Sequence, residues 1–345
     1  MEILTAPLLL LTGCYVGWNI GANDAANCIG TTVGAQIIPY RKAVVLMAVF
    51  VILGAALQGQ QVMETVGKGI VITDAATYQA QHGQPPGPEL AAFFPEGRVP
   101  DSAVFVALTC AGLFVTLATF FRVPVSTSQA IVGGVAGTGI GIVGLQPAYF
   151  KLGVLAKIFL AWIISPAVAM LLSCCIYLLL IRLGRGARSM TWHRATAAGV
   201  VVSAAYVSFS LGANDVGNAI GPLLGRFPEH GVGLAMLGGF AMAAGAMTFG
   251  ARVTDTVGKS ITPLDYGGAL AAQLGAAVGV HAFSVAGIPV STSQAIVGGV
   301  VGVGLTKGMA AVSARSLRNI VLGWVLTPLG AAALAAGLFK LLPSG

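Results

Sequence analysis

Two copies of one short polar motif interrupt long apolar runs of the sequence. The motif reads Gly-Ala-Asn-Asp-Ala-Ala-Asn from residue 21 and Gly-Ala-Asn-Asp-Val-Gly-Asn from residue 212. A carboxylate at membrane depth costs at least about 2.5 kcal/mol, so it persists only when it is paired, protonated or bound to a cation. Carboxylate and amide oxygens suit a hard cation such as Na⁺, whereas the alternative is an Asx cap on a broken helix. We predict a Na⁺ or proton site at Asn23, Asp24, Asn27, Asn214, Asp215 and Asn218, with Na⁺ at Asp24 and Asp215.

A second motif, Pro-Val-Ser-Thr-Ser-Gln, stands at residues 124–129 and again at 289–294. Proline followed by hydroxyl residues and a small-residue apolar stretch is typical of a helix N-terminus. The free N–H groups and the dipole of such a terminus favour an anion, and three hydroxyls add neutral donors. The alternative is that the hydroxyls only cap their helices. We predict that the two termini bind one tetrahedral oxyanion through Ser126, Thr127, Ser128, Ser291, Thr292 and Ser293.

Four further polar residues occur in matched pairs and are candidates for coupling or gating. Glu64 and Asp255 each stand three residues before a Gly-Lys pair, so they either coordinate ions or pair locally with that lysine. Gln129 and Gln294 directly follow the hydroxyl residues. No serine is matched with a histidine, and neither a nucleotide-binding loop nor a His-Glu-x-x-His motif occurs. We therefore expect no enzyme and no cofactor.

The composition places these motifs in a membrane protein. Of 345 residues, 56% are apolar and only 8% are charged, and the mean hydropathy is +0.88. Soluble domains carry about 25% charged residues, so a soluble protein, a disordered chain and a nucleic-acid binder are all excluded. The 48 glycines stand within apolar runs, which is typical of closely packed transmembrane helices. We predict an all-α polytopic membrane protein.

The whole chain is an internal repeat. The twelve residues from Pro124 recur without change from Pro289, and the Asn-Asp motifs recur at an offset of 191. We predict an N-terminal repeat over 1–183 with an extracytoplasmic loop at 74–101, an Arg-rich cytoplasmic linker at 184–194, and a C-terminal repeat over 195–345. Each half has five apolar segments, the first of them broken near Gly21. An odd number of segments per half inverts the second repeat, and inverted repeats with broken helices or re-entrant hairpins indicate a secondary transporter.

The basic residues support the inverted arrangement. With the linker in the cytoplasm, most of the other loop arginines and lysines also fall inside, as the positive-inside rule requires. Arg98, Lys151 and Arg226 are exceptions. This orientation puts both termini on the extracytoplasmic side of a cell (inner) membrane.

The four motifs together resemble the inorganic phosphate transporter (PiT) family of sodium- or proton-coupled phosphate permeases. The family carries a Gly-x-Asn-Asp-x-x-Asn box and a Pro-x-Ser-[Ser/Thr]-[Ser/Thr] box in each half, and this sequence has both boxes twice, in the family's order. The resemblance implies an inverted-repeat fold that is often dimeric, phosphate bound by the hydroxyl boxes, Na⁺ or H⁺ bound by the Asn-Asp boxes, and an important acid at Glu64 and Asp255.

Two departures from the family pattern bear on the substrate. Gln129 and Gln294 stand where many members have histidine, and Asp255 stands where glutamate is usual. Compact bacterial members of this family include sulfate permeases. We predict a cation-coupled phosphate symporter that works by alternating access in the lipid bilayer, with a sulfate or other oxyanion permease as the alternative and an anion channel as a third hypothesis. The expected partners are phosphate or sulfate, Na⁺ or H⁺, and a second copy of the chain.

Overall fold

The computed structural model describes residues 6–34, 36–120, 125–185, 189–257, 264–308 and 314–341. The described residues form ten long α-helices and two short ones, α3 and α4, which lie within the predicted 74–101 loop. The helices, in chain order from α1 to α12, are Ala6–Gly34, Tyr40–Lys68, Ala75–His82, Glu89–Phe93, Asp101–Phe120, Thr127–Val143, Leu152–Gly184, Ser189–Ile220, Gly231–Val257, Tyr266–Val285, Thr292–Lys307 and Ala314–Leu341.

The predicted all-α membrane fold is confirmed. Within the described ranges, seven helical stretches are long and apolar enough to cross a membrane, and they correspond to α2, α5, α7, α8, α9, α10 and α12. Helices α6 and α11 have 17 and 16 residues, which is fewer than the roughly 20 that a span requires. Helix α1 carries the first Asn-Asp box and is not among the seven.

Both Asn-Asp boxes lie inside continuous helices. Helix α1 runs without interruption through Gly21, and α8 runs through Gly212. The expected break near Gly21 is therefore wrong, and so is the alternative that Asp24 or Asp215 caps a helix, because neither stands at a helix start. Residues 189–194 of the predicted linker belong to the first turns of α8.

Glycines at the repeated positions place helices of one half against helices of the other. A Cβ on Gly21 of α1 would lie 1.8 Å from the carbonyl oxygen of Met242 in α9. The equivalent Cβ on Gly212 of α8 would lie 2.0 Å from the carbonyl oxygen of Val51 in α2. The offset of 191 relates Gly21 to Gly212 and Val51 to Met242. Helix α1 therefore packs on α9 in the way that α8 packs on α2.

Helices α6 and α11, which begin within the two hydroxyl boxes, also pack against the opposite half. Each contacts the last helix of that half. A Cβ on Gly133 of α6 would lie 2.4 Å from the carbonyl oxygen of Pro328 in α12, and one on Gly298 of α11 would lie 2.2 Å from that of Pro166 in α7. Small residues let helices approach this closely in a membrane, where packing rather than the hydrophobic effect drives their association. The two halves therefore interlock, and the inverted orientation of the second half stays a prediction.

Two of the basic residues that break the positive-inside pattern are paired with acids. Arg98 bonds to Asp101 at the start of α5 and lies 2.6 Å from a carboxylate oxygen of Glu96. Arg226, after α8, reaches the other carboxylate oxygen of Asp101 at 3.5 Å. These local pairs offset the positive charges on the side of the 74–101 region.

Candidate functional site

The first hydroxyl of each box caps its helix. Ser126 precedes α6 and its Oγ accepts the backbone N–H of Gln129 at 3.3 Å. Ser291 precedes α11 and its Oγ accepts the N–H of Gln294 at 3.2 Å. The predicted helix N-termini are thus confirmed, and the capping interpretation holds for the first hydroxyl of each box. Pro124 of the first box lies outside the described residues.

The other hydroxyls bond to carboxylates. Asp24 is 1% exposed, and its Oδ1 accepts from Asn27 Nδ2 at 2.7 Å and from Asn23 Nδ2 at 3.2 Å. The same oxygen accepts from Ser293 Oγ at 2.8 Å, and Oδ2 accepts from Thr127 Oγ1 at 3.4 Å. Both hydroxyl boxes therefore reach the first Asn-Asp box.

Asp215 has the equivalent partners, with the roles of the two halves reversed. It is fully buried, and its Oδ1 accepts from Asn218 Nδ2 at 2.8 Å and from Ser128 Oγ at 3.2 Å. Its Oδ2 accepts from Thr292 Oγ1 at 2.5 Å. Each carboxylate thus binds the threonine of its own half and the last serine of the opposite half, so the structure brings all four predicted boxes into one cluster.

The charge of this cluster is uncompensated within the described part of the chain. The donors to the two carboxylates are hydroxyl and amide groups, and no described lysine, arginine or histidine forms an ion pair with either one. Asp24 and Asp215 also repel each other. A buried charge without an opposite partner is strongly disfavoured. A cation or a proton bound at the cluster would remove this cost.

The shared cluster constrains how the hydroxyl-box helices sit in a membrane. Under the predicted inverted topology, full spans would leave the starts of α6 and α11 at opposite surfaces, about 30 Å apart. Thr127 and Ser293, at these two starts, instead bond to the same carboxylate. The inverted arrangement therefore requires α5–α6 and α10–α11 to be re-entrant hairpins rather than pairs of full spans.

The two halves of the cluster are not equivalent. Asn214 Nδ2 donates to the carbonyl oxygen of Val290 at 2.6 Å, and the Val290 N–H donates back to Asn214 Oδ1 at 3.2 Å. Ser128 Oγ lies 2.8 Å from the same carbonyl oxygen, so its single proton is shared between Val290 and Asp215. In the first half, Asn23 donates to Asp24 instead. The backbone just before the capping serine of the second hydroxyl box is therefore hydrogen-bonded directly to the second Asn-Asp box.

Three buried acceptor oxygens in the four boxes have no hydrogen-bond partner among the described residues. They are Oδ1 of Asn218 and Oε1 of Gln129 and Gln294. Asn218 directs both amide hydrogens to Asp215 and Ser128, which leaves its oxygen free beside a carboxylate. An amide oxygen next to a carboxylate provides the kind of oxygen ligands that a hard cation prefers.

Of the predicted acidic pair, Glu64 has no hydrogen bond to the cluster within the described part of the chain. Glu64 is exposed, lies 3.4 Å from Gln60 Nε2, and lines an open cavity of about 690 Å³ near the end of α2. Lys151 and Gly287 also line this cavity. The side chain of Asp255 lies outside the described part of the structure, as do those of Lys68 and Lys259.

Sequence reasoning missed the polar residues that support the boxes from α5 and α10. Thr119 Oγ1 donates to Asn23 Oδ1 at 3.3 Å, and Ser284 Oγ reaches Asn214 Oδ1 at 3.4 Å. These two residues are related by the offset of 165, so a hydroxyl at the same place in both halves was the signal that could have revealed them.

One supporting group differs between the halves. His281 bridges α10 to Tyr206 Oη at 2.7 Å and to Gln58 Oε1 at 2.5 Å. The repeat places Thr116 at the equivalent position, where it bonds to Tyr15 Oη at 2.6 Å. Single substitutions of this kind are invisible to motif reading because only one half carries the unusual residue.

Comparison with known proteins places the chain in a family. Residues 20–335 match the phosphate transporter family. A Methanocaldococcus jannaschii protein provisionally named a phosphate permease is 31% identical, with 94% of each chain covered. The chloroplastic inorganic phosphate transporter 2-1 of Arabidopsis thaliana is 29% identical, with 93% of this chain and 70% of the plant protein covered.

A solved structure shares the whole fold. It is described as the sodium-dependent phosphate transporter, and it superposes with a TM-score of 0.83 at 25% identity over 99% of both chains. The resemblance drawn from the four sequence boxes is thereby confirmed: this multi-pass membrane protein is no enzyme, and it belongs to the phosphate transporter family.

Proposed function

We propose that the chain is a cation-coupled inorganic phosphate symporter that works by alternating access. The observation that carries the proposal is the crosswise bonding of both hydroxyl boxes to two buried carboxylates, Asp24 and Asp215. The groups that would hold an anion are the same groups that solvate the carboxylates, so the two ligands are coupled through shared hydrogen bonds.

Electrostatics gives the direction of this coupling. An anion beside two ionised carboxylates is repelled, since like charges at short range in a low dielectric cost several kcal/mol. Cations at Asp24 and Asp215 would offset both carboxylates and release Ser128, Thr292 and Ser293 to donate to phosphate. Phosphate would in turn stabilise the bound cations, as reciprocal linkage requires.

We assign the coupling ion as Na⁺ and keep H⁺ as the alternative. The free Oδ1 of Asn218 beside Asp215 supports a metal cation, because a proton needs no additional oxygen ligand. The structural relative described as sodium-dependent supports the same choice. Asn23, Asn27 and Asn214 would supply the remaining amide oxygens.

Alternating access would act through the hairpin ends. Asn214 would exchange its bond to the Val290 N–H for a bound cation, which frees the backbone that leads into Ser291. The cavity beside Glu64 would then be the extracytoplasmic access route, with Glu64 and Asp255 acting at the two gates. We place the protein in the cell (inner) membrane with both termini extracytoplasmic, and dimer formation stays a prediction.

A sulfate or other oxyanion permease is the second candidate. It is favoured by the neutral character of the hydroxyl donors, since hydroxyl groups bind any tetrahedral oxyanion. It differs from the leading proposal only in the anion transported.

Uptake of radiolabelled phosphate into proteoliposomes tests the proposal. We expect an inward Na⁺ gradient to drive uptake, Asp24→Asn and Asp215→Asn to abolish the driven component, and excess sulfate to compete weakly. Asp265→Asn is the matched control, because Asp265 is 57% exposed and pairs with Lys307 away from the cluster. Driven uptake by Asp24→Asn at the control's rate would refute the assignment, and uptake driven only by a proton gradient would reassign the carboxylates to H⁺.

A further inference from the structure

Two buried glutamines occupy the same position in both hydroxyl-box helices, and each has an unpartnered side-chain oxygen. Gln129 and Gln294 are 3% and 2% exposed, and the Oε1 atom of each has no hydrogen-bond partner within the described segments. Both residues stand in the first helical turn, three residues after the capping serine. Side chains of an α-helix lean toward its N-terminus, which is the end where the hydroxyl donors lie.

An unpartnered buried oxygen is costly and calls for an explanation. These oxygens are acceptors, whereas the surrounding hydroxyls and free N–H groups are donors. A fully ionised oxyanion offers only acceptors and cannot satisfy them. Inorganic phosphate near neutral pH keeps at least one P–OH group, which is a donor, while sulfate has none.

The carboxylates are poorly placed to supply this acceptor. Asp24 already accepts four hydrogen bonds, from Asn23, Asn27, Ser293 and Thr127. Asp215 accepts three, and each carboxylate is also the proposed cation ligand. With the free oxygen of Asn218 assigned to the cation, the unpartnered acceptors that belong to the described hydroxyl boxes are Oε1 of Gln129 and Gln294.

We propose that Gln129 and Gln294 determine specificity by accepting the P–OH hydrogen of phosphate, so that the site discriminates against sulfate. This inference rests on the proposed function and names the substrate feature that the site reads. A site built to accept a substrate hydroxyl rejects an analogue without it, because the buried acceptor is then left unpaired.

The same oxygens have a second use that the experiment must separate. A buried amide oxygen can also ligate Na⁺. If the oxygens determine specificity, removing them changes the discrimination between phosphate and sulfate and leaves the Na⁺ dependence unchanged. If the oxygens ligate Na⁺, removing them changes the Na⁺ concentration for half-maximal uptake and leaves the discrimination between phosphate and sulfate unchanged.

Gln129→Met, Gln294→Met and the double variant remove the acceptor while keeping an unbranched side chain of similar length. We expect the ratio of sulfate to phosphate inhibition constants in proteoliposomes to fall by about 10- to 100-fold. We also expect the half-maximal Na⁺ concentration to stay unchanged. A wild-type ratio in the double variant would overturn the inference, as would an altered Na⁺ requirement with the ratio retained.

Gln273→Met is the matched control. Gln273 is equally buried, but its Oε1 accepts from Ser203 Oγ at 2.8 Å and its Nε2 donates to the Cys28 carbonyl oxygen at 3.0 Å. Losing those bonds lowers thermal stability and leaves the anion ratio unchanged. A lowered ratio in this control would attribute the effect to general loosening and overturn the inference.

Gln129→His and Gln294→His keep the inference testable if the methionine variants do not fold. A neutral imidazole accepts the P–OH hydrogen and a protonated one cannot. We therefore expect the ratio of sulfate to phosphate inhibition constants of these variants, divided by the wild-type ratio at the same pH, to fall as the imidazole protonates. A value that stays constant from about pH 5 to pH 8 would overturn the inference. Failure of the wild-type protein to transport phosphate at all would instead refute the proposed function.

Discussion

At the scale of single residues, the three hydroxyls of each box have separate roles. Ser126 caps α6, whereas Thr127 and Ser128 bond to different carboxylates. The same division holds for Ser291, Thr292 and Ser293 of the second box. In each of the two identical boxes, one hydroxyl therefore has a structural role, and a ligand could replace the hydrogen bonds of the other two.

This division predicts opposite effects for neighbouring serines. Ser126→Ala removes a cap and should lower the stability of the protein by about 1 kcal/mol, with driven phosphate uptake retained below the melting temperature. Ser128→Ala removes a donor that faces Asp215 and should reduce uptake at least about tenfold while the cap remains. Thermal unfolding and initial uptake rates measure the two effects. Equal loss of uptake in both variants would show that the hydroxyls do not divide in this way.

Residue types and spacing were enough to find the four boxes but not their connections. The motifs predicted that Asp24 and Ser293 belong to one site, yet nothing in the spacing shows that a carboxylate binds a serine 269 residues away. That pairing depends on how the halves interlock. Likewise, the free oxygen of Asn218 depends on where its amide hydrogens point, which follows from tertiary packing alone.

At the scale of helices, glycines at the crossings set the approach of the two halves. The motif glycine before each Asn-Asp pair suggested a helix break, but the reason for Gly21 is the carbonyl oxygen of Met242, which a Cβ would approach to 1.8 Å. A flexible residue and a closely packed residue look the same in sequence. The segments themselves were predictable because apolar runs of about 20 residues have few other uses.

Gly21→Ala should separate α1 from α9 and disturb the cluster that Asp24 anchors. Because the obstructing atoms are backbone, we expect a loss of stability of about 3 kcal/mol or more, together with loss of uptake. Gly337→Ala is the control, since a Cβ on this glycine of α12 meets no atom of the described residues within 4 Å. Alanine there should leave stability unchanged or raise it by up to about 1 kcal/mol. Thermal unfolding in detergent compares the two. Similar melting temperatures for both variants would contradict the packing argument.

At the scale of the whole molecule, the repeat explains why one cluster holds two carboxylates and two helix N-termini. Each half alone supplies an Asn-Asp box and a hydroxyl box, but its carboxylate needs the last serine of the other half. Neither half can therefore complete the site. The same exchange means that a relative motion of the halves must break or reform these bonds, which is what alternating access around a central site requires.

The inverted orientation of the halves can be tested with single cysteines in a cysteine-free background. His82 is exposed in α3, after the second helix of the first half, and Asp265 is exposed before α10, after the second helix of the second half. Inversion puts these positions on opposite sides of the membrane, whereas parallel repeats would put them on the same side.

In intact cells, we expect a membrane-impermeant maleimide to label His82→Cys and to spare Asp265→Cys until the membrane is opened. Arg185→Cys, at the end of α7, should behave like Asp265→Cys because it follows an odd number of crossings from the N-terminus. Labelling of both His82→Cys and Asp265→Cys from outside would exclude inverted repeats, and the re-entrant hairpins inferred from the inverted arrangement and the shared cluster would lose their basis.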